Sequence, residues 1–214
     1  MLRTLCVCCA LVTAWATSAG AICGQRCPPA LGEVKECGVG SHPPCTCTCE
    51  GFIVIRFTTS ILTNADADRI LADATRVLSQ KDGPSDIACG AKFVRNAENV
   101  LVTNVPANGI INSPTDLDLI LVSIPGNAKR ITVVNQINYC SGFKPNIIGC
   151  SRQGTSQAVV RYIAAQEGIL WAHEYGHTRG LPDLPLTSST SVMNGTIGAN
   201  RLQVTNGECA SFRR

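Results

Sequence analysis

Residues 171–183 read Trp-Ala-His-Glu-Tyr-Gly-His-Thr-Arg-Gly-Leu-Pro-Asp, and two of the chain's three histidines fall inside this stretch. On a helix, His173 and His177 lie four residues apart and so share one face, about one turn from each other. Two imidazoles so placed can bind one Zn2+, and Glu174 beside the first can reach a water held there. A zinc site that does hydrolysis needs a third protein ligand and one open position. Gly180 follows the second histidine by three residues, and glycine takes the left-handed conformation that stops a helix and turns the chain sharply. That turn swings Asp183 back toward the metal as the third ligand. The spacing predicts metal-assisted hydrolysis, with His173, His177 and Asp183 as ligands and Glu174 as general base.

Followed downstream by Ser191-Val192-Met193-Asn194, the run His173-Glu174-x-x-His177-x-x-Gly180-x-x-Asp183 resembles the metzincin clan of zinc endopeptidases. Most of that clan has histidine at the third-ligand position. The aspartate variant is similar to the snapalysin-type secreted bacterial enzymes. The motifs are specific over about residues 158–212; upstream the resemblance rests on element order alone. It implies an α+β fold with a metzincin-like twisted mixed sheet, a zinc-binding active-site helix and a short C-terminal helix. It also implies cleavage of protein or peptide substrates, with Met193 in a tight turn as an apolar floor beneath the ligands. Many relatives carry a tyrosine two residues after this methionine, and Gly195 stands there in this chain.

Competing assignments exist. Glu208 lies further along and offers a third ligand from a second helix, as in thermolysin-like enzymes, although that arrangement needs neither Gly180 nor Met193. His42 with Cys45, Cys47 and Cys49 forms a second metal-binding pattern, against which stands disulfide formation in an oxidising compartment. Asp116 and Asp118 are either a contribution to a calcium site or a solvated acidic face. The alternative function is a non-catalytic, disulfide-rich secreted binding protein on the same scaffold. Glu174 speaks against it, because a binding module has no use for a general base.

The elements that must position these residues come from hydrophobic periodicity. Thr63 or Asn64 can cap a helix whose apolar positions Ile70, Leu71, Ala74, Val77 and Leu78 recur at three- and four-residue spacing. Lys81-Asp82-Gly83-Pro84 ends it. Short runs rich in branched and aromatic residues predict strands at 52–57, 92–95, 100–103, 118–124, 130–137 and 158–162. Pro125-Gly126-Asn127 is a turn signal between two of them.

The start of the chain sets the compartment. A basic residue, Arg3, precedes an apolar stretch and then Ser18-Ala19-Gly20-Ala21, the layout of a signal peptide over 1–21. The expectation is export to the extracellular space or periplasm, without stable membrane insertion after cleavage. Of thirteen cysteines, Cys6, Cys8 and Cys9 leave with the signal, and the even remainder fits a disulfide framework. Residues 22–50 form a cysteine-rich N-terminal extension, and 51–214 the peptidase domain. Cys140 and Cys150 bracket a short Gly- and Pro-containing segment and are expected to pair. At 45% hydrophobic, 15% charged and a formal charge of +3, the chain is neither a disordered polyampholyte nor a nucleic-acid binder by charge. It is expected to act as a monomer.

Overall fold

In a computed structural model, the chain is described over residues 33–35, 46–57, 62–80, 86, 88–95, 100–102, 109–122, 129–163, 165–188 and 190–213. The expected signal peptide, His42, Cys45 and the Pro125-Gly126-Asn127 turn lie outside the described residues. The architecture is α+β. In chain order the strands are β1 (Glu33–Lys35), β2 (Thr46–Phe57), β3 (Ala91–Arg95), β4 (Val100–Val102), β5 (Ile110–Ile111), β6 (Arg130–Val134), β7 (Gln136–Tyr139), β8 (Phe143–Ile147), β9 (Gly149–Ser151) and β10 (Gln157–Arg161). The helices are α1 (Asn64–Ser79), α2 (Pro114–Val122), α3 (Glu167–Thr178) and α4 (Asn206–Phe212).

The main sheet runs β1-β2-β6-β10-β9, with β3 and β4 also paired to β2. Its pairings are parallel except at the two ends of that order, where β1 pairs with β2 and β9 with β10 antiparallel. The sheet is therefore mixed. A second sheet of order β5-β7-β8 stands beside it. β2 begins at Thr46, earlier than the apolar run 52–57 indicates, because its first half pairs with β1 and β3.

α1 forms where its periodicity places it. The Thr63 side chain accepts from Asp66 N at 3.1 Å, while the Asp66 carboxylate accepts from Thr63 N at 2.9 Å. This reciprocal cap is worth about 1 kcal/mol. The helix buries Ala67, Ile70, Leu71, Ala74, Val77 and Leu78, and it packs on α3 and β3. Its approach to α3 is close: a β-carbon on Gly168 would stand 2.5 Å from Asp73 Cβ. Glycine at that point lets α3 lie against α1.

One expected strand is a helix. Residues 114–122 form α2, over most of the run 118–124 that is expected as a strand. The local capping chemistry decides it. Ser113 Oγ accepts from Asp116 N at 3.1 Å, the Asp116 carboxylate accepts from Asn112 N at 2.9 Å, and Pro114 occupies the first turn, where its missing N–H costs nothing. The expected strand at 130–137 is broken at Asn135 into β6 and β7, which belong to different sheets. The segment between Cys140 and Cys150 holds β8 rather than a plain loop, and these two cysteines are bonded as expected. A second disulfide, Cys89–Cys209, joins the entry of β3 to α4 across 120 residues of sequence.

Candidate metal centre

α3 is buried along its whole length, and His173, Glu174 and His177 are only 6%, 3% and 8% exposed. Its C-terminus is shaped by Gly180, whose φ of +85° lies in the left-handed region. Gly180 N donates to His177 O at 2.9 Å and Leu181 N donates to Gly176 O at 3.0 Å, the paired bonds of a Schellman ending. This turn delivers two things. The Leu181 carbonyl comes to 2.7 Å from His177 Nδ1, and Asp183 Oδ1 arrives 3.3 Å from His173 Nε2 and 3.5 Å from His177 Nε2.

The first histidine is oriented from the other side. His173 Nδ1 stands 2.9 Å from the carbonyl of Val192, one residue before Met193. Carbonyl oxygens only accept, so both Nδ1 atoms carry the proton and both Nε2 atoms present lone pairs. Those two lone-pair nitrogens lie 3.0 Å apart. Two acceptors cannot satisfy each other at that distance, whereas a cation between them satisfies both.

The ligand triangle tests the fit. Donors at three corners of a tetrahedron about 2.0–2.1 Å from a central ion stand about 3.3 Å from one another. The observed separations of 3.0, 3.3 and 3.5 Å are those of such a triangle. Two neutral imidazoles and one carboxylate are also a donor set that zinc accepts. Among the described residues, His173, His177 and Asp183 are the group placed so that it could hold a metal ion.

The electrostatics favour a cation at the same point. Without an ion, a proton on His173 Nε2 is the cation that this point holds: burial disfavours it, but the Asp183 carboxylate beside it and the charge of Glu174 outweigh burial and leave the His173 pKa raised. Asp183 is lowered, chiefly by His173, against the opposing effect of its partial burial. For Glu174 burial dominates and pushes the carboxyl above its usual range, with His173 and His177 pulling the other way. Its Oε2 is buried and has no hydrogen-bond partner.

Met193 is fully buried and lies against α3: a β-carbon on Gly176 would stand 2.3 Å from its Sδ. The floor is tied to its surroundings by residues whose roles spacing alone does not reveal. Asn194, 0% exposed, donates from Nδ2 to the carbonyls of Ser188, Pro185 and Leu186 at 3.0, 3.3 and 3.4 Å. Its Oδ1 accepts from Thr196 N at 3.0 Å. Leu184 N donates to Met193 O at 2.7 Å, so the residue after Asp183 is fastened to the methionine turn. Asn194 follows Met193 directly in the sequence, and asparagine, a residue type that bonds backbone groups in turns, is the signal available there.

Glu208 has a different employment from ligation. Its Oε2 accepts from Thr205 N at 2.6 Å and its Oε1 from the Ser191 hydroxyl at 2.9 Å, and Ser191 Oγ in turn accepts from Met193 N at 3.0 Å. It caps α4 and holds the methionine turn. Asp116 caps α2, and Asp118 pairs with Arg152, so each of these carboxylates has a protein partner. At Gly195 a β-carbon would lie 3.6 Å from Asp183 Cγ, ordinary contact distance.

Comparison with known proteins adds likeness of fold only. Neither a protein-family model nor a curated protein matches the chain. Among solved structures, the chain is similar to an archaemetzincin from Methanopyrus kandleri, at 15% identity and a TM-score of 0.49, over 76% of this chain and 93% of that one. It is similar to an archaemetzincin from Archaeoglobus fulgidus complexed with malonate, at 20% identity and a TM-score of 0.45, over 75% and 99%. It is also similar to metalloproteinase-II from Bacteroides fragilis, at 12% identity and a TM-score of 0.48, over 77% of this chain and 52% of that one.

Proposed function

We propose that this chain is an exported zinc-dependent endopeptidase that hydrolyses protein or peptide substrates. The observation that carries the reading is the convergence of two imidazole lone pairs and one carboxylate oxygen, with a buried glutamate next to the first imidazole in sequence. His173, His177 and Asp183 would hold the ion. Zn2+ bound there supplies a Lewis acid that makes water more acidic and polarises the scissile carbonyl. Glu174 takes a proton from the attacking water and returns it to the leaving amine nitrogen. Its burial suits that exchange, since a carboxylate stripped of water is a better proton acceptor. The Val192 and Leu181 carbonyls fix the imidazole tautomers, so both Nε2 atoms stay available as donors.

The compartment belongs to the same proposal. The disulfides Cys89–Cys209 and Cys140–Cys150 fit an oxidising environment outside the cytoplasm. No helix among the described residues is long and apolar enough to cross a membrane. Hydrolysis of casein by the purified protein, with and without a chelator, tests the reading together with Glu174→Gln. The variant is expected to keep its zinc and lose about 100-fold or more in turnover. A Glu174→Gln protein with wild-type turnover contradicts the assignment.

A further inference from the structure

β9 lies beside the helix that carries the site, and its three residues divide between two faces. Side chains alternate along a strand, so Gly149 and Ser151 share one face and Cys150 points to the other. Cys150 is buried in the second apolar cluster with Ile111, Ile137 and Val159, and it is bonded to Cys140. The opposite face looks onto Glu174. A β-carbon on Gly149 would stand 2.0 Å from Glu174 Oε1, 2.6 Å from its Cδ and 2.9 Å from its Cγ. The carboxylate therefore occupies the space that the first carbon of any other side chain would take.

Two residues on and on the same face as Gly149, the Ser151 hydroxyl is within reach of the same carboxylate. Ser151 Oγ and Glu174 Oε2 are both shielded from solvent, and neither has a completed hydrogen bond. A buried donor and a buried acceptor left open cost free energy, and each is the kind of partner the other lacks.

We propose that Gly149 and Ser151 are positioning residues for the general base, Gly149 by leaving room for the Glu174 carboxylate and Ser151 by donating to it. This rests on the role given to Glu174 above. The Cys140–Cys150 bond secures the strand from its far face, so the gap at Gly149 keeps its place while the carboxylate exchanges a proton.

The test uses the full chain loaded with zinc. Ser151→Ala is expected to lower kcat about 10-fold or more while KM and zinc content stay within about two-fold, and Ser151→Thr, which keeps the hydroxyl, is expected to restore most of the loss. Gly149→Ala is expected to lower kcat about 100-fold. A readout without activity comes from thermal unfolding. Gly149→Ala should lower Tm by several degrees when Glu174 is present, and by much less in a Glu174→Ala background, where the crowded side chain is gone. If the wild type holds zinc and cleaves no peptide, the peptidase reading has failed, and the unfolding cycle alone decides the contact. Equal Tm losses in the two backgrounds overturn the proposal, as does wild-type kcat in Ser151→Ala.

Discussion

Replacing Gly180 by alanine isolates what the turn after α3 contributes. The φ of +85° lies where L-residues other than glycine are strained, and no atom stands within 4 Å of the β-carbon that alanine would add. The cost is therefore backbone strain without a clash, about 1–2 kcal/mol. For a domain of this size that lowers Tm by about 2–8 °C. A second loss follows from the bonds that the turn sets. If the chain relaxes away from the left-handed conformation, the Gly180 N–H···His177 and Leu181 N–H···Gly176 bonds go, and with them the Leu181 carbonyl that orients His177. Loss of such an outer partner weakens metal affinity by about 10–100-fold. Gly180→Asn is the comparator, since asparagine tolerates the left-handed region. Unfolding curves and competitive zinc titration of both variants make the assay. The expected order is wild type, Asn, Ala in both measurements. Alanine and asparagine variants that match wild type in stability and zinc affinity would refute it.

Three further outcomes follow from the same contacts. Asp183→Ala should lose zinc affinity strongly, while Asp183→His and Glu208→Ala should retain zinc in metal analysis, because imidazole is a good zinc donor and Glu208 serves the methionine turn. Breaking Cys89–Cys209 by double serine substitution should cost about 5 kcal/mol in urea unfolding and breaking Cys140–Cys150 about 3 kcal/mol, since the first closes 120 residues and the second 10. Asn194→Ala leaves carbonyls of the 185–188 segment without their donor and should destabilise by about 1–3 kcal/mol, with a parallel fall in zinc affinity.

The candidate site was largely legible because its geometry is local. His173, Glu174 and His177 sit on one helix, and Gly180 turns the chain within the next few residues, so spacing on a 3.6-residue helix carries most of the information. α1 was legible for the same reason, through Thr63, Asp66 and the buried positions Ile70 to Leu78. α2 is a helix where a strand is expected because the apolar run 119–122 fits a buried strand as well as a buried helix turn, and the Ser113-Pro114 start and the Asp116 cap decide for helix. What escaped altogether is tertiary. Gly149 meets Glu174 only after β9 pairs antiparallel with β10, and Gly176 meets Met193 only after the chain returns from residue 184. A glycine in a sequence shows that space or a special φ is wanted, and not which side chain will use the space.

Whether two imidazoles and one carboxylate hold zinc can be read at the metal itself by X-ray absorption at the zinc edge. The protein purified with one equivalent of zinc should show nitrogen and oxygen neighbours at about 2.0–2.1 Å, an imidazole signature from two histidines, and no sulfur. Sulfur neighbours at about 2.3 Å would place the metal on cysteine thiolates instead, and would contradict the site built on His173, His177 and Asp183.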